Sequence, residues 1–400
     1  MNFATANRTT VLRVKETTWG VTPATPALIQ CRMTGEALDD TTKTLTSKEI
    51  RADRMVADLV VVDESPGGDL NFEMSYGSFT DLLESLLMTT LTTPLAIVGV
   101  AADISTVVAA SPTANLTSTT AGKFSGIVLG QKIKLGGFTD PLNNIVYTVT
   151  HITDSSHISL TPTPNSAETP LLAAATIGGQ MGRNGITEQS YTLIKVFNDA
   201  TAVTNHKFQG MRVSAASFDM KTASLLGGKF SFKGKNASMD ELVPPVAGAT
   251  FPAVSSTTIM NCVTNVLNIT QNGASFGSTG ATMSATISID NQHREQKGIG
   301  VLGNVGVVAG QLMVKVTASQ YFESKAQSVL YKNSTGFAFS FTLSDDVGNT
   351  LVFTLPRCKY DSFKENATQL DSDVMAQTTF MALADPVTNC MIQVDFFPAP

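Results

Sequence analysis

Cysteine, tryptophan, histidine and charge are all scarce in this chain. Four cysteines, Cys31, Cys262, Cys358 and Cys390, stand far apart with no C-x-x-C pair. That excludes a disulfide framework, and reduced, half-buried thiols are expected. Charged residues make up 15% against 42% hydrophobic. A disordered chain needs the opposite balance, so this one should fold. With 27 basic and 33 acidic residues the net charge is −6, which argues against a dedicated nucleic-acid binder that clamps phosphates. Long apolar runs are missing too. The longest, Leu95 to Ala102, is far short of the ~20 residues of a membrane helix. Met1 to Glu16 contain no apolar signal-peptide region, so a chain made and kept inside a cell, with no membrane partner, is expected.

Motifs of catalysis are equally absent. There is no H-E-x-x-H, P-loop or G-x-S-x-G, and the glycine-rich stretch Gly298 to Gly310 has no following Lys-Ser/Thr. Of the four histidines, which include His206 and His293, His151 and His157 lie six apart, not at a helical metal-binding spacing, and read as solvated or turn histidines. The carboxylate pairs Asp39-Asp40 and Asp345-Asp346 carry no catalytic expectation, although distant carboxylates can always be combined into a glycosidase pair. No enzyme, metal or cofactor is expected. Trp19, the single tryptophan, reads as a buried anchor, with a carbohydrate platform as the alternative.

What the sequence does contain is alternation. Leu70, Phe72 and Met74 alternate with Asp69, Asn71 and Glu73; Leu312, Val314 and Val316 with Gln311, Met313 and Lys315; Phe337, Phe339 and Phe341 with Ala338, Ser340 and Thr342. This is the period of half-buried strands. Turns are expected at Pro66-Gly67-Gly68, Gly136-Gly137, Gly227-Gly228, Asn272-Gly273 and Val347-Gly348-Asn349. Two segments read as helices. One opens at Ser78 with Asp81 completing an approximate capping box and carries a stripe through Phe79, Leu82, Leu83, Leu86 and Leu87. The other spans Gln320 to Lys332.

The pattern repeats. Gly68, Leu70, Phe72, Met74 and Phe79 share their spacing with Gly310, Leu312, Val314, Val316 and Tyr321, an offset of 242 (310 against 68). Phe208, Arg212 and Phe218 share theirs with Phe353, Arg357 and Phe363, an offset of 145 (353 against 208). The offsets differ by 97, which places an insertion near residues 93 to 186. That segment holds four basic and four acidic residues, so the whole −6 belongs to the body. The expected organisation is a first core of 1–92 plus 187–250, an inserted small β domain of 93–186, and a second core of 251–400.

Several segments, in order, resemble the tail tube proteins of long-tailed, non-contractile bacteriophages. They are Glu16 to Pro23, Ser47 to Arg54, Gly67 to Leu70, Tyr76 to Glu84, the strand Tyr191 to Phe197, and Phe208-Gln209-Gly210. The likeness covers about three-quarters of the chain, and the insert, in Phe124 to Thr161, looks like the small β modules that often decorate such tubes. The resemblance implies a mostly β protein: two tandem β-sandwich or barrel-like cores, each flanked by a short helix. It also implies a structural virion protein, assembled in the host cytoplasm, whose rings stack into a hollow tube through which genome DNA passes without specific binding. Its partners would be further copies of itself, a tape measure protein and a tail terminator. Two cores per chain imply a homotrimeric ring of pseudo-sixfold symmetry, with a homohexamer as the alternative.

On this reading, Asp69, Asn71, Glu73, Gln311 and Lys315 are the candidates for the lumen wall, which should be acidic or neutral so that DNA slides. Glu49, Arg51, Asp53, Arg54 and Asp58, in a long loop or hairpin, are candidates for contacts with the neighbouring ring. So are Arg294, Glu295 and Lys297 in the equivalent stretch of about Asn291 to Val308. The insert is expected on the outer surface. Competing readings are a capsid decoration protein or fibre adhesin that binds carbohydrate, and a carbohydrate-active enzyme with a binding module. A pilus subunit is disfavoured by the missing signal peptide.

Overall fold

The computed structural model describes residues 3–170, 175–198, 201–278, 281–367 and 369–399. Strands dominate, as expected. The α-helices among the described residues are α1 (Thr80–Leu86) and α2 (Ala326–Lys332).

In the first half, Thr9–Lys15 pairs with Tyr191–Phe197, which pairs with the opening of the long strand Thr204–Lys221, which also carries Asn236–Asp240. The long strand then crosses into a second layer. There it pairs with Gly227–Lys233, which pairs with the end of Leu59–Glu73, flanked in turn by Gly35–Glu36 and Asp39–Thr46. The second half repeats that order. Val266–Gln271 pairs with Phe337–Ser344, then with the opening of Thr350–Asn366, which carries Gln393–Phe397. The far end of Thr350–Asn366 pairs with Met375–Ala382, then Met313–Tyr321, then Thr282–Asp290. All of these pairs are antiparallel, and α1 and α2 occupy the same place in the two sequences of elements.

Irregularities in the ladders align the halves residue by residue. A register shift lies between Val213 and Ala215 in the first long strand and between Tyr360 and Ser362 in the second, an offset of 147 (360 against 213). The shifts at Tyr191/Leu193 and Phe337/Phe339 pair Met211 and Cys358, giving 147 again (358 against 211). Carried across the ladders, this places Gly227 with Met375 and Glu73 with Tyr321, so Leu70 corresponds to Ala318 and not to Leu312. The sequence offsets of 242 and 145 therefore each miss the ladder register, by six and by two residues. An even error leaves every side chain on its expected face, which is why the alternation matched. The connection after the helix is Leu87 to Ser190 in the first half, 104 residues, against Asn333 to Gly336, four residues, in the second.

The halves are not separate bodies. Ala215–Lys221 pairs with Ser284–Asp290, so eight strands run continuously from Asp39–Thr46 to the far end of Thr350–Asn366. One apolar core underlies them, and Phe218 of the first half packs on Phe353 of the second at 5.2 Å between ring centroids.

The inserted segment has a core of its own, including Ile104, Phe124, Ile133, Tyr147, Leu160 and Ile177, so the unit is wider than Phe124 to Thr161. Its last strand, Thr176–Arg183, does two jobs. Residues 176–179 pair with Leu95–Val98 inside the module, and residues 180–183 pair with Gln393–Phe397 of the second half.

Four local expectations differ from the structure. Pro66-Gly67-Gly68 is no turn but lies within the strand Leu59–Glu73. Gly68 has φ +130, and a Cβ there would come within 2.1 Å of the Ala37 carbonyl oxygen, so glycine permits a close strand approach. Gly227-Gly228 likewise opens a strand. The capping box is not formed: α1 starts at Thr80 with no side-chain cap, and Asp81 is engaged by Arg13 instead. Finally, Gln320 to Phe322 precede α2, because the strand before it runs to Tyr321. Asn272-Gly273 and Gly348 are at hairpin turns as expected, with positive φ at all three.

Candidate assembly surfaces

Three features of the body face outward: a sheet face, two hairpin arms and two strand edges.

The sheet face holds Asp69, Asn71 and Glu73, because Leu70, Phe72 and Met74 point into the core. Lys315 shares this face through the continuous ladder, whereas Gln311 is exposed just before its strand begins at Met313. The face is not an acidic wall. Asp69 accepts from Lys229 at 2.9 Å and from Ser231 at 2.5 Å, and Lys315 lies 3.4 Å from Asp361. Burial works against ionisation of Asp69, but those two hydrogen bonds hold its carboxyl below the usual range. Between the charges stand short hydroxyl side chains such as Ser217, Thr286, Ser288 and Thr317. The face is charge-balanced and hydroxyl-rich.

The first arm is the hairpin of Asp39–Thr46 with Leu59–Glu73, which projects beyond the core. Its tip carries Glu49, Arg51, Asp53, Arg54 and Asp58, all exposed. Arg51 and Asp53 form an ion pair at 2.5 Å, which lowers the Asp53 pKa, and the Asp58 carbonyl closes the loop on the Ser47 N–H. Around these charges, Ile50, Met55, Val56 and Leu59 to Val62 expose apolar surface. The second arm pairs Arg294–Gln296 with Gly306–Val308. Arg294 is exposed, but Glu295 accepts from Ser65, and Lys297 contacts Asp63 at 2.6 Å and the Glu64 carbonyl at 2.7 Å. The second arm is thus tied to the base of the first. Sequence reasoning placed its three charges outward together because spacing carries no information on this tertiary contact.

The two edges end the eight-stranded sheet. Among the described residues, Asp39–Thr46 pairs only with Leu59–Glu73, and the far end of Thr350–Asn366 only with Met375–Ala382. Open edges are the positions at which a sheet can add another chain.

Elsewhere the chemistry is structural. Glu16 accepts hydrogen bonds from the Gly20 and Gly210 N–H groups and the Ser190 and Thr192 hydroxyls. Trp19 is half-buried rather than buried; it anchors by donating to the Gly210 carbonyl at 3.0 Å beneath the Lys235 ammonium. Asp345 caps its hairpin by accepting from the Val347 and Asn349 N–H groups. His206 stacks on Phe208, and His157 contacts Asp154. The cysteines are free; Cys31, Cys358 and Cys390 are buried and Cys262 is half-buried. A polar pin missed in the sequence joins module to body. Arg183 donates to Gln393, Thr388 and Leu129, and buried Asp395 accepts from Gln393 beside Lys132. The aspartate sits in an apolar run, Val394 to Phe397, and only the pairing of residue 183 with 393 reveals its neighbours.

No curated protein matches this chain. A family model described as phage tail tube protein matches residues 6–382, nearly the whole chain. The module-bearing, mostly β polypeptide with its two open sheet edges belongs to the phage tail tube protein family.

Proposed function

We propose that this chain is the repeating subunit of a hollow phage tail tube, the conduit through which genome DNA leaves the virion. Membership of the tail tube family supports a structural role in the tail. The observation that carries the finer reading is the repeated strand order on a sheet that is open at both ends. Each half is a tail tube unit, so three chains supply six units and a ring of pseudo-sixfold symmetry. Closing the ring removes the open edges.

Geometry favours three chains over six. At eight strands per chain, three chains make a barrel of 24 strands. With strands about 4.8 Å apart and tilted by about 40°, such a barrel is roughly 45–50 Å across between backbones. That admits a DNA duplex with room for side chains. Six such chains would double the width.

The charge-balanced face carrying Asp69, Asn71, Glu73 and Lys315 lines the lumen, with Gln311 at its margin. A duplex carries one negative charge per ~1.7 Å of axis, and a wall whose Lys229 and Lys315 are already engaged by Asp69 and Asp361 offers it less to hold. The first arm, with Glu49, Arg51, Asp53, Arg54 and Asp58, reaches the neighbouring ring. In the second arm Arg294 shares that contact, and Glu295 and Lys297 brace the first arm. The module lies outside, since within the lumen it would block passage. A tape measure protein inside and a tail terminator at the end complete the partners, and assembly takes place in the host cytoplasm.

Electron microscopy of the purified chain, with native mass spectrometry of single rings, tests this. Stacked hollow rings of three chains are expected. Compact oligomers or spikes without a channel would refute it.

A further inference from the structure

The junction inside the chain is a template for the junction between chains. Internally, the far end of the first long strand, Ala215–Lys221, pairs antiparallel with Ser284–Asp290, the strand that opens the second half's layer. The corresponding elements at the two ends of the sheet are the far end of Thr350–Asn366 and the strand that opens the first half's layer, around Asp39. Both are unpaired on their outer sides among the described residues.

The ladder irregularities convert this likeness into a register. The long strands are offset by 147 residues. Carrying that offset across the ladders sets Asp39 against Ser288, an offset of 249 (288 against 39). The first arm supports the value, since its pairing slips by one residue between Lys43 and Thr44. The second arm slips by one between Asp290 opposite Met313 and Arg294 opposite Val308. Internally Ser217 faces Ser288. Its equivalent is Lys364 facing Asp39.

We infer that the edge strand around Asp39 to Thr41 of one chain pairs antiparallel with Ser362 to Lys364 of a second copy, with Asp39 opposite Lys364, Asp40 opposite Phe363 and Thr41 opposite Ser362. This rests on the tube reading and names the seam by which it closes.

Charge supports the match independently. Asp39 and Asp40 have no ion pair among the described residues, and a buried oxygen of Asp40 has no hydrogen-bond partner there. Burial, Glu64 and Asp39 push the carboxyl of Asp40, on the opposite sheet face from Asp39, up to about 6. Lys364 is exposed with no ion pair among the described residues. The register sets it on the same sheet face as Asp39, directly opposite. Unlike opposed charges stabilise a cross-strand pair, while like charges weaken it. The seam between chains is also more polar than the one within, where Phe218 faces Ile287 and Ala216 faces Ile289. Charged edges keep a lone chain from pairing at random before the correct partner arrives.

The experiment is disulfide trapping in assembled full-length protein. Thr41→Cys with Ser362→Cys should cross-link under mild oxidation into dimers and then trimers, stopping at a closed ring of three. Thr41→Cys with Asn366→Cys, four residues out of register, should not. In parallel, Lys364→Glu should raise the concentration needed for assembly at least tenfold, and adding Asp39→Lys should recover most of it. Wild-type tubes that give no cross-link in the first variant, or equal cross-linking in both, would overturn the seam and leave the tube reading standing. A wild-type chain that stays monomeric at every concentration would overturn both.

Discussion

At the residue scale, two buried charges matter most. Arg13 reaches Asp81 through two hydrogen bonds of 2.8 and 2.9 Å and also donates to the Ser78 carbonyl, which fastens the first strand to the start of α1. Sequence spacing assigned Asp81 to a cap, because a local pattern cannot display a partner 68 residues away. Asp81→Ala leaves a guanidinium buried without its counter-ion and should destabilise the fold by about 2–3 kcal/mol, read from urea unfolding. Asp395 behaves differently. Burial pushes its carboxyl up to about 7, against the opposing pull of Gln393, Lys132 and Arg183. The unfolded value is about 3.9, so between these limits the native state holds a proton that the unfolded chain has lost. This contribution to stability is complete below pH ~4 and is lost as pH rises through 7. Asp395→Asn cannot titrate, so its stability relative to wild type should rise from pH 4 to 8. A difference that stays constant over that range would show that the carboxyl is ionised throughout.

At the scale of elements, the arms separate what is legible in a sequence from what is not. The first arm's mixture of charges and exposed valines was visible, and its tip residues are exposed. The second arm's Lys297 is spent on Asp63 of the first, a contact no spacing encodes. Reversing Arg51 and Arg54 together to Glu should leave folded, soluble protein, because both are exposed and the Arg51–Asp53 pair lies on the surface. If the arm reaches the next ring, the same variant should form no tubes in electron micrographs. Tubes of normal length would remove the arm from inter-ring contact. The short helices illustrate the opposite failure. The stripe of α1 was readable since Leu82, Leu83 and Leu86 are buried. In α2 no residue is buried, so its start at Ala326 had no apolar signal to mark it.

At the scale of the whole molecule, the module is both appended and fastened. It has an apolar core of its own, yet residues 180–183 cover the edge of Gln393–Phe397. Deleting 93–186 outright, the cut suggested by the repeat offsets, would strip that edge and should give a destabilised chain that assembles poorly. Excising 99–175 and joining Val98 to Thr176, which face each other in the ladder, with a two-residue turn keeps the covering strand. That variant should form tubes of reduced outer diameter in electron micrographs. Failure of the second variant to assemble, while it remains folded by circular dichroism, would mean that the module itself holds the tube together.

The sequence by itself determined the class of the protein. Alternation of apolar and polar residues dictates strands, its recurrence points to a repeat, and a neutral stretch within the first copy points to an insertion. These features are local, with periods of a few residues, so they survive in one dimension. Only the tertiary structure decided the register of the repeat, the fusion of the halves through Ala215–Lys221 and Ser284–Asp290, and the partners of Asp81, Lys297 and Asp395. The physical reason is that a strand's alternation is unchanged by a slip of two residues, whereas its hydrogen-bond ladder and its charge partners are not.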